Sequence, residues 1–178
     1  MAMEDQTDQE LVSACLAGNR EAFAQLVRRY QDSVYGLAVS MTGSHADAAD
    51  MAQEAFIRAY TRLDQYNPSY GFRSWLLRIC ANRTKNLFRK RTNRRKLEEA
   101  YQQDAAMLEA HPEDENHELE SALSRLPARL AVPIRLKYME NLSYEEVADV
   151  MGIGVSAAKM RVMRARNRLA EILNYEKA

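Results

Sequence analysis

The sequence predicts an all-α protein: two small helical domains joined by an acidic linker, the second a helix-turn-helix domain. Three observations carry this. Apolar residues recur at spacings of three and four along most of the chain, and no run alternates with the period of a strand. Glycine and proline are scarce, 6 and 4 in 178 residues, and fall mostly where one helical pattern gives way to the next. Charge is balanced overall, with 25 basic and 25 acidic residues, but segregated along the chain. Residues 73–96 hold Arg and Lys without one acidic side chain, whereas 98–120 hold Glu and Asp without one Lys or Arg. A neutral total thus conceals basic surfaces and an acidic connector. The boundaries that follow are 8–94, 95–118 for the linker, and 119–175.

The first helix starts near Asp8 and stops at Gly18-Asn19, with Leu11, Val12, Cys15 and Leu16 inward. The second spans Arg20 to Thr42, where Phe23, Leu26, Val27, Tyr30, Val34, Leu37, Ala38 and Met41 form one apolar stripe, and Gly43 ends it. Ser44 with Asp47 caps the third helix, and Asp47 and Asp50 suit the positive end of its dipole. Met51, Ala55, Phe56, Ala59, Tyr60 and Leu63 face inward. The opposite face offers Asp50, Gln53, Glu54, Ile57 and Arg58, either an ordinary solvated face or a docking surface with an aliphatic centre.

Residues 64–71 read as a loop, because Pro68 biases Asn67 away from helix and Gly71 interrupts the next turn. The fourth helix, FRSWLLRICANRTKNLFRKR, interleaves aromatic and basic residues. That mixture suits single-stranded nucleic acid, whose bases stack on rings while Arg and Lys follow the phosphates. Part of it must be core, since one ring cannot both fill the interior and stack on a base. The loop tyrosines Tyr66 and Tyr70 are the better stacking candidates. A helical piece near Glu98 to Leu108 is expected in the linker.

Leu119, Leu123 and Leu126 open the second domain, and Pro127 suits the first position of the next helix. Pro133 falls within that helix, where it lacks a donor and costs about 3 kcal/mol. The expectation is a kink, or a helix that begins later than the leucines indicate. Ser143 and Glu146 form a capping box, Val147, Ala148, Val150 and Met151 supply an apolar face, and Gly152 permits a left-handed turn. The last helix carries Lys159, Arg161, Arg164, Arg166 and Arg168 beside an apolar seam through Leu169 and Leu173. Two helices with a fixed turn and a basic second member outline a helix-turn-helix.

Other classes fit poorly. No phosphate-cradling Gly loop, metal-ligand cluster or nucleophile turn is present, so neither an enzyme nor a cofactor is expected. Cys15 and Cys80 sit in apolar helical patterns and read as core. No apolar run has the length of a membrane span, and MAMEDQTDQE lacks the parts of a signal peptide, so a cytoplasmic protein is expected. A simple duplex-binding regulator accounts for Ser143 to Leu173 but leaves the third helix and the aromatic loop unused.

The blocks DAADMAQEAFIRAYTRLDQYNPSYGFRSWLLRICANRTKNLFRKR and LSYEEVADVMGIGVSAAKMRVMRARNRL, in this order and at this separation, resemble the bacterial RNA polymerase sigma factors of the extracytoplasmic-function (ECF) type. The resemblance runs from about Leu11 to Leu173. It implies that residues 8–94 are a sigma-2-like domain and 119–175 a sigma-4-like domain. Asp50, Gln53, Glu54, Ile57 and Arg58 would then dock on core RNA polymerase. Tyr66, Asn67, Tyr70, Phe72 and Arg73 would capture an unstacked base of the −10 element. Arg78, Asn82, Lys85, Asn86, Arg89 and Lys90 would hold its backbone. Ser156, Lys159, Met160, Arg161, Met163, Arg164 and Arg168 would bind the −35 duplex. It further implies an anti-sigma partner that sequesters the factor near the membrane, and no housekeeping-type inhibitory region before Leu11. The chain departs from the family pattern at Ser156-Ala157-Ala158, at Met160, and at Pro133 and Arg135, which replace aliphatic residues.

Overall fold

A computed structural model describes residues 6–98 and 117–176, which hold eight α-helices. The first domain holds α1 (Asp8–Leu16), α2 (Arg20–Thr42), α3 (His45–Thr61), a 3-10 turn (Leu63–Gln65) and α4 (Phe72–Glu98). The second holds α5 (His117–Ser124), α6 (Ala128–Tyr138), α7 (Tyr144–Met151) and α8 (Val155–Glu176). The expected helical piece in the linker lies outside the described residues. α4 runs on to Glu98, past Arg91, where the basic helix was expected to end.

Local chemistry sets the helix starts. Thr7 and Glu10 form a reciprocal capping box on α1, the Thr7 N–H donating to Glu10 Oε2 at 2.7 Å. Asn19 accepts from the Glu21 N–H, and Ser44 accepts from the Asp47 N–H at 3.3 Å. Ser143 and Glu146 repeat the box on α7. Each cap satisfies a donor that the helix leaves orphaned and contributes roughly 1 kcal/mol. Gly152 closes α7 at φ 65, and its N–H bonds back to Ala148 and Asp149, so the chain turns at once into α8.

In the first domain α2 is central. Leu26, Val34 and Leu37 are fully buried and meet Leu11 of α1, Ala55 and Ala59 of α3, and Leu76, Leu77 and Cys80 of α4 in one apolar cluster. Tyr60, assigned inward, is instead 44% exposed at the rim, its ring edge-on to Phe23. Leu16 and Leu119 are likewise exposed.

The second domain has a smaller cluster of Ala122, Leu123, Leu126, Ala131, Ile134, Ala165 and Leu169. Its other apolar side does not face water. Val132, Leu136, Leu142, Val147 and Val150 join the core of the first domain. Pro133 lies buried inside α6, which begins at Ala128, ahead of Leu130, so the helix does not start later than its leucines indicate. The bond to the Arg129 carbonyl is forfeited there, at the middle of the helix. Pro127 is the N-cap and not the first helical residue.

Candidate nucleic-acid interface

The loop before α4 is a braced structure. Asn67 Oδ1 accepts from the Ser69 N–H at 2.9 Å, the Asn67 carbonyl accepts from the Tyr70 N–H at 3.1 Å, and Gln9 of α1 donates to the Pro68 carbonyl at 3.3 Å. Tyr66 is buried, and its hydroxyl donates to the Tyr70 carbonyl at 2.6 Å. Burial, followed by the charge of Asp8, raises the Tyr66 phenol above its ordinary pKa. Its ring centroid stands 5.5 Å from Phe72 and 5.3 Å from Trp75, and Phe72 lies 5.7 Å from Tyr30. These offset and edge-on contacts make an aromatic floor beneath the loop.

That arrangement sorts the candidates for base capture. Phe72, 2% exposed, is core, and its ring is unavailable for stacking in this conformation. Tyr66 is the support and Tyr70, 64% exposed, is the open ring. Asn67 is exposed, though its side-chain carbonyl is used by the turn. Arg73 lies with its guanidinium 5.5 Å above the Tyr30 ring and donates to the Glu140 carbonyl.

Along α4, Arg78, Asn82, Lys85, Arg89 and Lys90 are exposed, and Asn86 is half-buried. Between α3 and α4 a cleft of about 510 Å³ is lined by Arg58, Arg62, Ile79, Asn82, Arg83, Lys85, Asn86 and Arg89. Its walls converge five cations, which suits a polyanion. Arg62 and Arg83 were missed as site residues from sequence. Arg62 stands one turn after Arg58, and Arg83 falls between Asn82 and Lys85, so helical spacing held the signal. Arg83 also pairs with Glu54 of α3. Burial lowers the pKa of Lys85, because desolvation disfavours its charged form.

On the outer side of α3, Asp50, Gln53 and Ile57 are exposed, Ile57 at 56%. Glu54 and Arg58 are half-buried and lean toward α4, through Arg83 and the cleft respectively. The five docking candidates therefore divide into an open trio and a pair shared with the basic cleft.

The second domain presents its own surface. Ala158, Val162, Ala165 and Leu169 form the inward seam of α8 at helical spacing. Ser156, Lys159, Met160, Met163, Arg164 and Arg168 consequently face outward, and Arg161 is half-buried. The Lys159 ammonium lies 5.6 Å from the Tyr144 ring centroid, and Arg168 pairs with Glu171. The long α8, fixed to α7 by the Gly152 turn, projects mixed cationic and methionine side chains.

An aromatic loop ahead of a basic helix, joined to a helix-turn-helix, defines a promoter-binding transcription factor, and the family comparison agrees. Residues 26–94 match the family model "Sigma-70 region 2" and residues 116–169 match "Sigma-70, region 4". The chain belongs to the sigma-70 family of RNA polymerase sigma factors, in its ECF group. It is 35% identical to the ECF RNA polymerase sigma-E factor of Haemophilus influenzae, over 93% of this chain and 95% of that one. It is 33% identical to the ECF RNA polymerase sigma factor SigW of Bacillus subtilis, over 88% and 91% of the two chains. Among solved structures it is similar to the sigma factor RpoE of Bartonella quintana in complex with the anti-sigma factor NepR. That likeness has a TM-score of 0.71 at 25% identity, covering 85% of this chain and 96% of that one.

Proposed function

We propose that this chain binds core RNA polymerase, recognises −35 and −10 promoter elements and holds the −10 region open for transcription initiation. The observation that carries this reading is the braced loop. It leaves the Tyr70 ring exposed while the buried Tyr66 holds the Tyr70 backbone, at the start of a cationic helix. Extruding a base from a duplex costs a few kcal/mol, and stacking on one ring returns roughly 1–3 kcal/mol. The rest comes from phosphate contacts by Arg78, Lys85, Arg89 and Lys90, which fix position without reading sequence. Asn82 and Asn86 add uncharged donors along the same strand path, and Arg62 and Arg83 widen it. Arg164 and Lys159, with Met160 and Met163 between them, face the −35 major groove. The trio Asp50, Gln53 and Ile57 faces the polymerase.

No chemical step belongs to this chain; phosphodiester synthesis is the polymerase's. The Bartonella neighbour was solved with an anti-sigma factor, which supports an inhibitory partner for this chain as well. No helix among the described residues is long and apolar enough to cross a membrane. A cytoplasmic factor, held near the membrane by such a partner, agrees with that.

Separating the two surfaces tests the reading. Arg164→Glu should weaken −35 duplex binding and leave assembly with core polymerase intact, while Ile57→Glu should do the reverse. Gel filtration with core enzyme and duplex anisotropy report the two properties. Equal loss of both properties in both variants contradicts the assignment.

A further inference from the structure

The outward face of α8 has an apolar centre. A helix turns about 100° per residue, so Met163 and Met160 project between Lys159 on one flank and Arg164 on the other. The seam of Ala158, Val162, Ala165 and Leu169 lies on the opposite side of the helix. Met160 is 44% and Met163 45% exposed, and neither belongs to an apolar cluster of the fold. Large apolar side chains at the middle of a cationic surface suit a partner that carries negative charge at its rim and an apolar group within.

One flank is held from α7. The Tyr144 ring, on the first residue of that helix, has its centroid 5.6 Å from the Lys159 ammonium and 4.9 Å from that of Lys137. Tyr144 thus draws Lys159 toward α7 and leaves the centre of the face to the two methionines. A thioether is a weak acceptor and donates nothing, so the centre cannot read a base by a strong hydrogen bond. A cytosine amino group or a guanine O6 beneath it would lose water without gaining a partner. The methyl group that the major groove presents is the C5-methyl of thymine, and a flexible, polarisable methionine adapts to it.

We propose that Met160 and Met163 read thymine methyl groups in the −35 duplex, so that this chain selects T·A pairs at the centre of its −35 element. The inference rests on the assignment of α8 to that duplex and names the chemical group selected there. Lys159 and Arg164 supply charge, and the methionines supply discrimination. Met160 is also a departure from the family pattern, so the preference belongs to this chain.

The full-length chain assembled with core polymerase tests this, on duplexes randomised across the −35 element whose bound fraction is sequenced. A thymine preference should emerge within the element. Replacing the selected thymines by deoxyuridine removes only the methyl and should weaken binding about fourfold for each, the worth of one buried CH2. Met160→Ala and Met163→Ala should lose that deoxyuridine effect, and Met160→Leu should keep it. A selected element without thymine, equal affinity for thymine and deoxyuridine duplexes, or an effect undiminished in both alanine variants overturns the methyl reading alone. Absence of any −35 preference overturns the assignment of α8 to the duplex and the methyl reading with it.

Discussion

The Tyr66 hydroxyl donates to the Tyr70 carbonyl at 2.6 Å, so the buried tyrosine of the loop sets the backbone that carries the exposed one. The pair divides one task. Tyr66→Phe should keep the aromatic floor but lose the brace, at about 0.5–1.5 kcal/mol. Tyr70→Ala should leave the melting temperature near wild type, since that ring is 64% exposed, yet lower strand affinity. Thermal melts and single-stranded DNA anisotropy on both variants check the division; a large melting shift for Tyr70→Ala contradicts it.

Arg91, near the far end of the basic helix, holds both Asp47 carboxylate oxygens at 2.6 and 2.7 Å. This pair ties α4 to the first turn of α3. Hydrogen bonding from Arg91 outweighs burial and lowers the Asp47 pKa. A carboxyl depressed in the folded state contributes stability above its unfolded value, near 4, and loses it as pH falls through the lower folded value. Stability measured across pH 5 to 2 should therefore fall less steeply in Asp47→Asn than in wild type. Identical slopes would remove the pair from the account.

Cys80 is fully buried, and burial pushes its thiol up to about 12 despite a hydrogen bond with Thr84. Cys15 is only half-buried, with a smaller rise from the same cause. Alkylation under native conditions should modify Cys15 first, and Cys80 only on unfolding. Mass spectrometry of peptides distinguishes the two, and early labelling of Cys80 would contradict the packing of α2 against α4.

Leu136 is fully buried in the apolar cluster common to both domains. Leu136→Ala should cost about 2–5 kcal/mol, and the loss should appear in the unfolding of the first domain as well as the second. Hydrogen exchange resolved by segment reads this. Faster exchange confined to 117–176 would show that the two cores are independent.

Local chemistry was legible in the sequence, and contacts between distant segments were not. The caps at Ser44 and Ser143, the stop at Gly43, the turn at Gly152 and the outward surface of α8 follow from neighbours within four residues, and the structure reproduces them. The burial of Phe72 and Tyr66 was not legible, because a ring at a loop–helix junction has no neighbouring period to assign it a face. The end of α4 was missed by a few residues because charge reversal marks composition and not helix termination. Arg135 read as an anomaly and Gly36 carried no signal at all, since the Arg135 guanidinium lies against Gly36 and the two are far apart in the chain.

Run-off transcription from a genomic promoter library, with purified core polymerase and this chain as its only initiation factor, decides whether the chain opens promoters. Initiation is expected at a discrete set of promoters, with permanganate-reactive thymines near −10 and loss of that reactivity in Tyr70→Ala. A stable complex with core that starts at no promoter, or no complex at all, would contradict it.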